Sequence, residues 1–329
     1  MTRSRVFESV EAEHERLLDL ARAIWEHPEL GLEEEFAANR LRTTLSEAGF
    51  EIQRGIGGMP TAFVASYGDG EPTIGILGEY DALPELSQTV STCREPVEVG
   101  EPGHGCGHNL FGVAGVGAAL ALKAEHDRGG FEGTIRFYGT PAEETIVGKV
   151  FMARAGVFDD LDAALTWHPC DVTGPQRTSS LAVDSVKYRF EGTPAHAAQS
   201  PTAGESALDG VQLMNTGVEY LREHIPDKAR IHYTITEGGG APNVIPAEAE
   251  AWYFVRAPER IQVEELSERV NEIAEGAALM TGTSVERNYI TGAWELLPND
   301  VISDVMLETM ETVGPIDYSA ADREFAAEL

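Results

Sequence analysis

The sequence has few cysteines, few lysines and no long apolar run. Its three cysteines, Cys93, Cys106 and Cys170, cannot form a fully paired set, so we do not expect a disulfide framework. No stretch approaches the roughly 18–20 apolar residues of a membrane span. The N-terminal residues lack the apolar core of a secretory signal. We therefore expect a cytoplasmic protein that has no membrane partner.

The charge is strongly one-sided. Lys and Arg together number 24 and Asp and Glu number 55, which gives a formal net charge of −31. A negative field of this size repels phosphate backbones, so no nucleic-acid partner is expected. The acidic residues are spread along the chain, and lysine occurs only at positions 123, 149, 187 and 228. This pattern favours a halophilic-type acidic surface over the alternative of an ordinary acidic enzyme.

The first 180 residues predict an α/β fold. Helical spacing of apolar residues covers residues 6–26 and 33–48, and a small-residue helix is expected up to about residue 125. Short apolar runs at 61–66, 73–78, 133–139 and 163–167 read as strands, and residues 145–155 as a helix. Strands that alternate with helices predict a doubly wound, mostly parallel sheet, whose ligands bind beyond the carboxyl ends of the strands.

A different pattern starts near residue 182. The predicted order of strand, helix, two strands, helix and strand is that of a ferredoxin-like α+β sandwich. We therefore predict that residues 1–181 and 293–329 form a catalytic domain. Residues 182–292 would form a smaller domain inserted into it.

The glycine-rich segment 103–109 (GHGCGHN) holds the first candidate metal ligands. It places Cys106 and His108 two residues apart, and glycines let the backbone bend so that both side chains converge on one ion. A glycine-rich turn that merely opens a helix is the alternative. A phosphate-binding enzyme is a weaker rival, because the Lys-Ser/Thr of a phosphate loop is absent. Cys93 and Cys170 have no ligand-type neighbours, and we expect no role for them.

Acidic and imidazole side chains follow three other predicted strands. Glu143 and Glu144 come after the strand at 133–139, His168 after the next strand, and Asp81 after the strand at 73–78. A solvated edge, a core histidine and a turn aspartate are the respective alternatives. Because these strand ends meet at one sheet edge, a shared site is favoured, with one glutamate as a metal ligand and the other as a base.

The inserted domain offers three polar residues suited to substrate binding. His196 and Arg256 lie at predicted strand ends, and Asn243 ends a glycine-rich loop. Together they could hold a carboxylate and polarise an amide carbonyl. A turn histidine, a surface arginine and a hairpin asparagine are equally simple readings of each residue alone.

Taken together, the segments resemble the co-catalytic metallopeptidases, a family that includes aminoacylases, glutamate carboxypeptidases and auxin-conjugate amidohydrolases. The Cys-Gly-His motif at 106–108 is similar to that of the amidohydrolase branch. The sequences at 78–88 and 103–110 are similar to those of its aminobenzoyl-glutamate utilisation subgroup. The segments that carry the resemblance lie at 27–31, 78–84, 103–109, 140–144, 168, 192–197 and 242–246.

The resemblance implies an enzyme that hydrolyses an N-acyl amino-acid amide or dipeptide, such as aminobenzoyl-glutamate, with two divalent metal ions. Thiolate favours zinc and carboxylate-rich sites admit manganese. The resemblance also implies a homodimer formed through a ferredoxin-like lid. By motif, Cys106, His108, Glu144 and His168 would be the metal ligands. Glu143 would be the general base, Asp81 the orienting acid, His196 the lid residue that polarises the carbonyl across the dimer, and Asn243 and Arg256 substrate-binding residues.

The chain departs from the family pattern in two places. Glu79 stands in the His-x-Asp position of other branches, so we do not predict it as a ligand. The family has a further ligand histidine near its C-terminus, whereas the last histidine here is His232. This suggests a truncated chain, and the alternative function is therefore a catalytically incomplete binding or regulatory protein on the same fold.

Overall fold

The computed structural model describes residues 3–329, with side chains from Arg5 onward. The chain divides into two compact units, of which one is Gly174–Val313 and the other combines the preceding residues with Gly314–Leu329. Among the described helices, none has both the length and the apolar character needed to cross a bilayer. Each unit has its own hydrophobic core.

The described residues form nine strands and nine α-helices. The strands are β1 (Glu51–Arg54), β2 (Phe63–Asp69), β3 (Thr73–Gly78), β4 (Gly133–Gly139), β5 (Ala163–Leu165), β6 (Ala182–Glu191), β7 (Arg230–Glu237), β8 (Glu248–Ala257) and β9 (Ser284–Ala293). The helices are α1 (Arg3–Ala12), α2 (His14–Trp25), α3 (Glu35–Glu47), α4 (His108–Asp127), α5 (Gly148–Arg154), α6 (Ala207–Leu221), α7 (Arg260–Thr281), α8 (Asp300–Val313) and α9 (Ala320–Glu328).

The sheet of the first unit is mixed. Its strand order is β1-β2-β4-β3-β5, in which β3 pairs in parallel with β4 and β5 while the β1/β2 and β2/β4 pairs are antiparallel. The α/β class is confirmed. The antiparallel edge includes β1, which the sequence did not reveal because its four residues are mostly exposed and polar. The parallel strands β3, β4 and β5 end at the same edge, as predicted.

Two helix boundaries differ from prediction. The helix predicted over 6–26 is two helices, α1 and α2, which meet at Glu13. The helix predicted from residue 145 starts only at Gly148. Its first residues instead belong to a turn in which Ala142 and Ile146 have positive φ angles of 52° and 61°. This turn follows β4 and carries Glu143 and Glu144.

Helix α4 approaches the sheet unusually closely. It begins at His108, directly after Gly107, whose φ of 77° favours glycine. A Cβ on Gly112 would lie 2.6 Å from the backbone oxygen of Glu79, and one on Gly115 would lie 2.8 Å from the Phe137 ring. The absence of side chains at these positions lets the first turn of α4 lie against the end of β3. It thereby brings His108 beside Asp81.

The second unit has the predicted ferredoxin-like order. Its antiparallel sheet is ordered β7-β8-β6-β9, and α6 and α7 pack on one face of it. Strand β8 alternates strictly, with residues 249, 251, 253, 255 and 257 buried. The N-termini of both helices are capped, by Ser206 on α6 and by a capping box of Glu259 and Gln262 on α7.

A buried carboxylate lies in front of α3. Glu34 has no solvent exposure, and its Oε2 and Oε1 accept hydrogen bonds from Thr61 Oγ1 (3.0 Å) and from the Ala142 N–H (2.7 Å). Burial outweighs these hydrogen bonds and raises the pKa of Glu34 to about 7. The ionised side chain therefore costs folding free energy at neutral pH and above.

Replacing glycine by alanine should have opposite effects at two helix positions. Gly112→Ala should lower the free energy of unfolding by about 1–3 kcal/mol, because the new methyl meets a backbone oxygen that cannot move away. Gly276→Ala in α7 has no atom within 4 Å of the new Cβ and should raise it by about 0.5–1 kcal/mol through helix propensity. Urea unfolding of both variants measures the contrast, and a stabilised Gly112→Ala would contradict the close approach.

Glu34→Gln should stabilise the protein in a pH-dependent way. The folded pKa of about 7 lies above the unfolded value near 4.5, so the folded state holds its proton longer and wild-type stability falls as pH rises between these values. The amide should therefore be more stable than wild type by up to about 2 kcal/mol at pH 8. The difference in free energy of unfolding between Glu34→Gln and wild type should become smaller toward pH 5. Urea unfolding of both proteins from pH 5 to pH 8 measures this difference. A stability difference that becomes larger toward pH 5 would contradict the predicted direction of the pH dependence.

Candidate metal centre

Asp81 organises the strand-end residues of the first unit. Its side chain is 1% exposed, and its Oδ1 lies 2.9 Å from Nδ1 of His108. Its Oδ2 accepts a hydrogen bond from the Glu144 N–H at 3.0 Å. One carboxylate thus joins the end of β3, the start of α4 and the turn after β4. This is the orienting contact that the sequence suggested for Asp81.

The surroundings of two imidazoles fix their tautomers. Nδ1 of His108 faces both the backbone oxygen and Oδ1 of Asp81, and Nδ1 of His168 faces the Pro169 backbone oxygen at 2.9 Å. Because oxygen acceptors require a donor, each Nδ1 carries the ring proton. In the neutral rings the two Nε2 atoms therefore present lone pairs, and they lie 3.4 Å apart.

Further donor atoms converge on this pair. Cys106 Sγ lies 3.4 Å from His168 Nε2, and carboxylate oxygens of Glu79, Glu143 and Glu144 lie 3.2, 3.9 and 4.0 Å from His108 Nε2. Two overlapping groups have ligand atoms that all lie within 4.8 Å of one another. They are Cys106, His108 and His168, and Glu79, His108, Glu143 and His168.

The electrostatics of the cluster fit a cation. Glu79 Oε2 and Glu144 Oε1 are buried without a hydrogen-bond partner, and burial raises the pKa of both glutamates. Burial also raises the pKa of Cys106 to about 12, and neighbouring carboxylates add to the shift. Burial alone would lower the pKa of His108, but Asp81 and the other carboxylates raise it. Facing lone pairs and buried anions repel one another unless positive charge lies among them, so the residues present fit a divalent metal ion.

The sequence alone did not indicate that Glu79 and Lys149 lie beside these donor atoms. Glu79 is 4% exposed and belongs to the donor cluster, although it was not predicted as a ligand. Its other oxygen pairs with the Lys149 ammonium at the start of α5. Alternation along an extended segment puts residues 79 and 81 on the same side, a signal that could have indicated Glu79.

The predicted residues of the second unit fall into two places. The Ala197 N–H donates to the Asn243 backbone oxygen at 3.0 Å, so the segments of His196 and Asn243 pair directly. Arg256 lies near the far end of β8, about 25 Å along the strand from its start. Its guanidinium carbon lies 5.3 Å from the Phe254 ring centre, and its Nε is buried without a partner. The structure does not bring Arg256 together with the other two.

His196 has the opposite tautomer from the histidines of the metal cluster. Its Nδ1 accepts hydrogen bonds from the N–H groups of Ala198 and Gln199, both at 3.2 Å. A ring proton is therefore carried on Nε2. Because the side chain is exposed, this N–H is available as a hydrogen-bond donor.

Comparisons with known proteins agree with this geometry. Residues 75–297 match the model of peptidase family M20/M25/M40. The chain is 48% identical over 325 residues to one of the subunits of p-aminobenzoyl-glutamate hydrolase from Escherichia coli, covering 98% of this chain and 67% of that protein. It is 32% identical to the mouse Xaa-Arg dipeptidase, covering 95% of this chain and 72% of that protein.

Solved structures show the same fold. An aminobenzoyl-glutamate utilization protein from Klebsiella pneumoniae superposes with a TM-score of 0.69 at 20% identity, covering 91% of this chain and 81% of that one. A dinuclear metal-binding peptidase from Bacillus subtilis superposes with a TM-score of 0.59 at 25% identity, covering 91% and 79%. The chain therefore belongs to peptidase family M20/M25/M40 and is a metal-dependent hydrolase that acts on amide bonds.

Proposed function

We propose that the substrate is an N-aroyl amino acid of the aminobenzoyl-glutamate type. The observation that carries this proposal is the 48% identity, over nearly the whole chain, to a relative that is named as part of a p-aminobenzoyl-glutamate hydrolase. The reaction adds water across the amide: a carbon–oxygen bond forms, the carbon–nitrogen bond breaks, and a carboxylic acid and an amine leave. For aminobenzoyl-glutamate the products are p-aminobenzoate and glutamate.

Cys106, His108, Glu144 and His168 are proposed to hold two divalent ions, zinc or manganese. The separations around His108 Nε2 support this set, and the Bacillus structure is of a dinuclear metal-binding peptidase. When bound, such ions polarise the amide carbonyl and make water more acidic. The donor cluster also supports adding Glu79 to the residues that face them. Asp81 keeps the His108 ring oriented through Nδ1.

Glu143 is proposed as the general base. Its side chain is 32% exposed and its Oε2 lies 3.9 Å from His108 Nε2, so it can meet both water and substrate. In this role it takes a proton from the attacking water and gives it to the departing nitrogen, which leaves as an amine. His196 is proposed to donate its Nε2 proton in a hydrogen bond to the carbonyl oxygen as negative charge develops there. Asn243 and Arg256 remain candidates for binding the substrate carboxylate.

Glu143→Gln should abolish turnover without loss of metal. The amide keeps the shape of the side chain but cannot take the proton of water, so kcat should fall by at least about 100-fold. Hydrolysis of aminobenzoyl-glutamate and of a panel of N-acyl amino acids and dipeptides gives the readout. Elemental analysis of the same samples measures zinc and manganese.

Cys106→Ser is the matched control for that experiment, because it removes a soft ligand and should lower metal content together with activity. Retained turnover in Glu143→Gln would refute its role as the base. Absence of both metals from active wild-type protein would refute the ligand set.

A homodimer is proposed as the active form, with His196 acting on the second copy. Mixed dimers test this. Glu143→Gln and His196→Ala chains, each inactive alone, should regain about a quarter of wild-type activity when mixed equally, since half of the dimers are mixed and each has one complete site. Sizing in dilute and molar salt accompanies the assay, because the charge of −31 favours high-salt conditions.

Three outcomes would contradict this proposal. A monomer that is fully active would exclude any action between copies. No recovery of activity in verified mixed dimers would exclude the role of His196 in the second copy. Two Escherichia coli relatives are named as different subunits of p-aminobenzoyl-glutamate hydrolase, so a requirement for a different partner chain would also replace the homodimer.

A further inference from the structure

Glu34 lies directly behind the turn that carries the proposed base. This turn, residues 140–147, is called the base turn below. The Glu34 carboxylate has no solvent exposure and its Oε1 accepts the Ala142 N–H at 2.7 Å. Ala142 immediately precedes Glu143, so the hydrogen bond holds the Pro141–Ala142 peptide, one residue before the proposed base. The mechanism described above gives Glu34 no part.

The base turn has a backbone that needs external support. Ala142 has a φ of 52°, a left-handed conformation that is unfavourable for a residue with a Cβ. Its carbonyl oxygen accepts hydrogen bonds from the Val147 N–H (3.1 Å) and from Thr145 Oγ1 (3.2 Å), both within the turn. Its N–H has no such local acceptor and instead reaches Glu34, which is 108 residues away in sequence. The hydrogen bond to Glu34 therefore connects this peptide to a distant segment of the unit.

The neighbouring packing leaves the turn little room to move. A Cβ on Gly31 would lie 3.0 Å from both Cα and Cβ of Ala142, so the segment before Glu34 lies against the turn. On the other side of Glu143, the Glu144 N–H donates to Asp81 Oδ2 at 3.0 Å. Two buried carboxylates thus hold the N–H groups of Ala142 and Glu144, the residues on either side of Glu143. With both neighbours held, the direction in which the Glu143 side chain leaves the backbone is fixed.

We propose that Glu34 is a positioning residue for the hydrolysis, which orients Glu143 through the Ala142 amide. This inference rests on the proposed role of Glu143 as the base. A base must keep its carboxylate aligned with the water and with the leaving nitrogen, and small displacements reduce the rate sharply. Glu34 acts as a hydrogen-bond acceptor in this role, so an isosteric acceptor should replace it.

Three substitutions separate positioning from simple stability. Glu34→Leu removes the acceptor, and Glu34→Asp keeps the charge but is one methylene too short to reach the Ala142 N–H. Both should lower kcat about tenfold or more while KM and metal content stay within about twofold of wild type. Glu34→Gln keeps an acceptor for the same N–H and should retain kcat within about twofold.

Thr61→Val is the matched control. It removes the other hydrogen bond to the Glu34 carboxylate, from Thr61 Oγ1, and leaves the bond to Ala142 in place. It should cost stability without changing kcat. A Glu34→Leu or Glu34→Asp protein that is folded and metal-loaded but has wild-type kcat would overturn the proposal. Loss of kcat in Glu34→Gln equal to that in Glu34→Leu would overturn it as well.

Amide hydrogen exchange supplies a readout that does not depend on activity. Exchange in the peptide that covers the base turn should be about tenfold faster in Glu34→Leu and Glu34→Asp, because an opened hydrogen bond exposes the Ala142 N–H. Exchange in β4 should stay at the wild-type rate. Unchanged exchange in the turn would overturn the proposal, whatever the enzyme assays show. Faster exchange in the turn together with an active Glu143→Gln would instead reject only the proposed function of Glu143.

Discussion

The candidate metal centre depends on the buried carboxylate of Asp81. It accepts from His108 at the start of α4 and from the Glu144 amide in the turn after β4, while its own backbone follows β3. Three segments that are far apart in sequence are therefore placed by one side chain that is 1% exposed. The close approach of α4 at Gly112 serves the same arrangement, because a bulkier residue there would move His108 away from the strand end. Packing and electrostatics thus determine the same position for the imidazole.

Hydrogen bonds set the tautomers of three histidines for different tasks. His108 and His168 donate from Nδ1 and so present Nε2 lone pairs to the cluster. His196, in the other unit, accepts at Nδ1 from two backbone amides and so presents an N–H. The first pair suits a cation and the third suits an anionic oxygen. In each case the acceptor or donor that sets the tautomer lies close by in the structure. For His168 and His196 it is also adjacent or nearly adjacent in sequence.

The sequence predicted that candidate ligands at neighbouring strand ends would lie close together, because parallel strands end at one edge of a sheet. Cys106, His108 and His168 do meet there, and the ferredoxin-like order of the second unit is present. Glu34 could not be recognised in the same way, because its contact with Ala142 spans 108 residues and depends on a positive φ that no composition signals. Strand β1, at the antiparallel edge of the first unit's sheet, was not predicted for a different reason. It is a short, exposed strand whose residues carry no apolar pattern.

The carboxylates around Cys106 also affect the chemistry of its sulfur toward oxidants. A thiol whose pKa is raised to about 12 is almost wholly protonated at neutral pH, and only the thiolate reacts readily with peroxides or alkylating agents. Cys93 and Cys170 are exposed, and the Cys170 thiol donates to Asp171 Oδ1 at 3.2 Å. When no cation lies beside it, Cys106 is therefore a poor target for such reagents. Burial and the acidic surroundings that fit a metal ion thus also protect the Cys106 sulfur from oxidation.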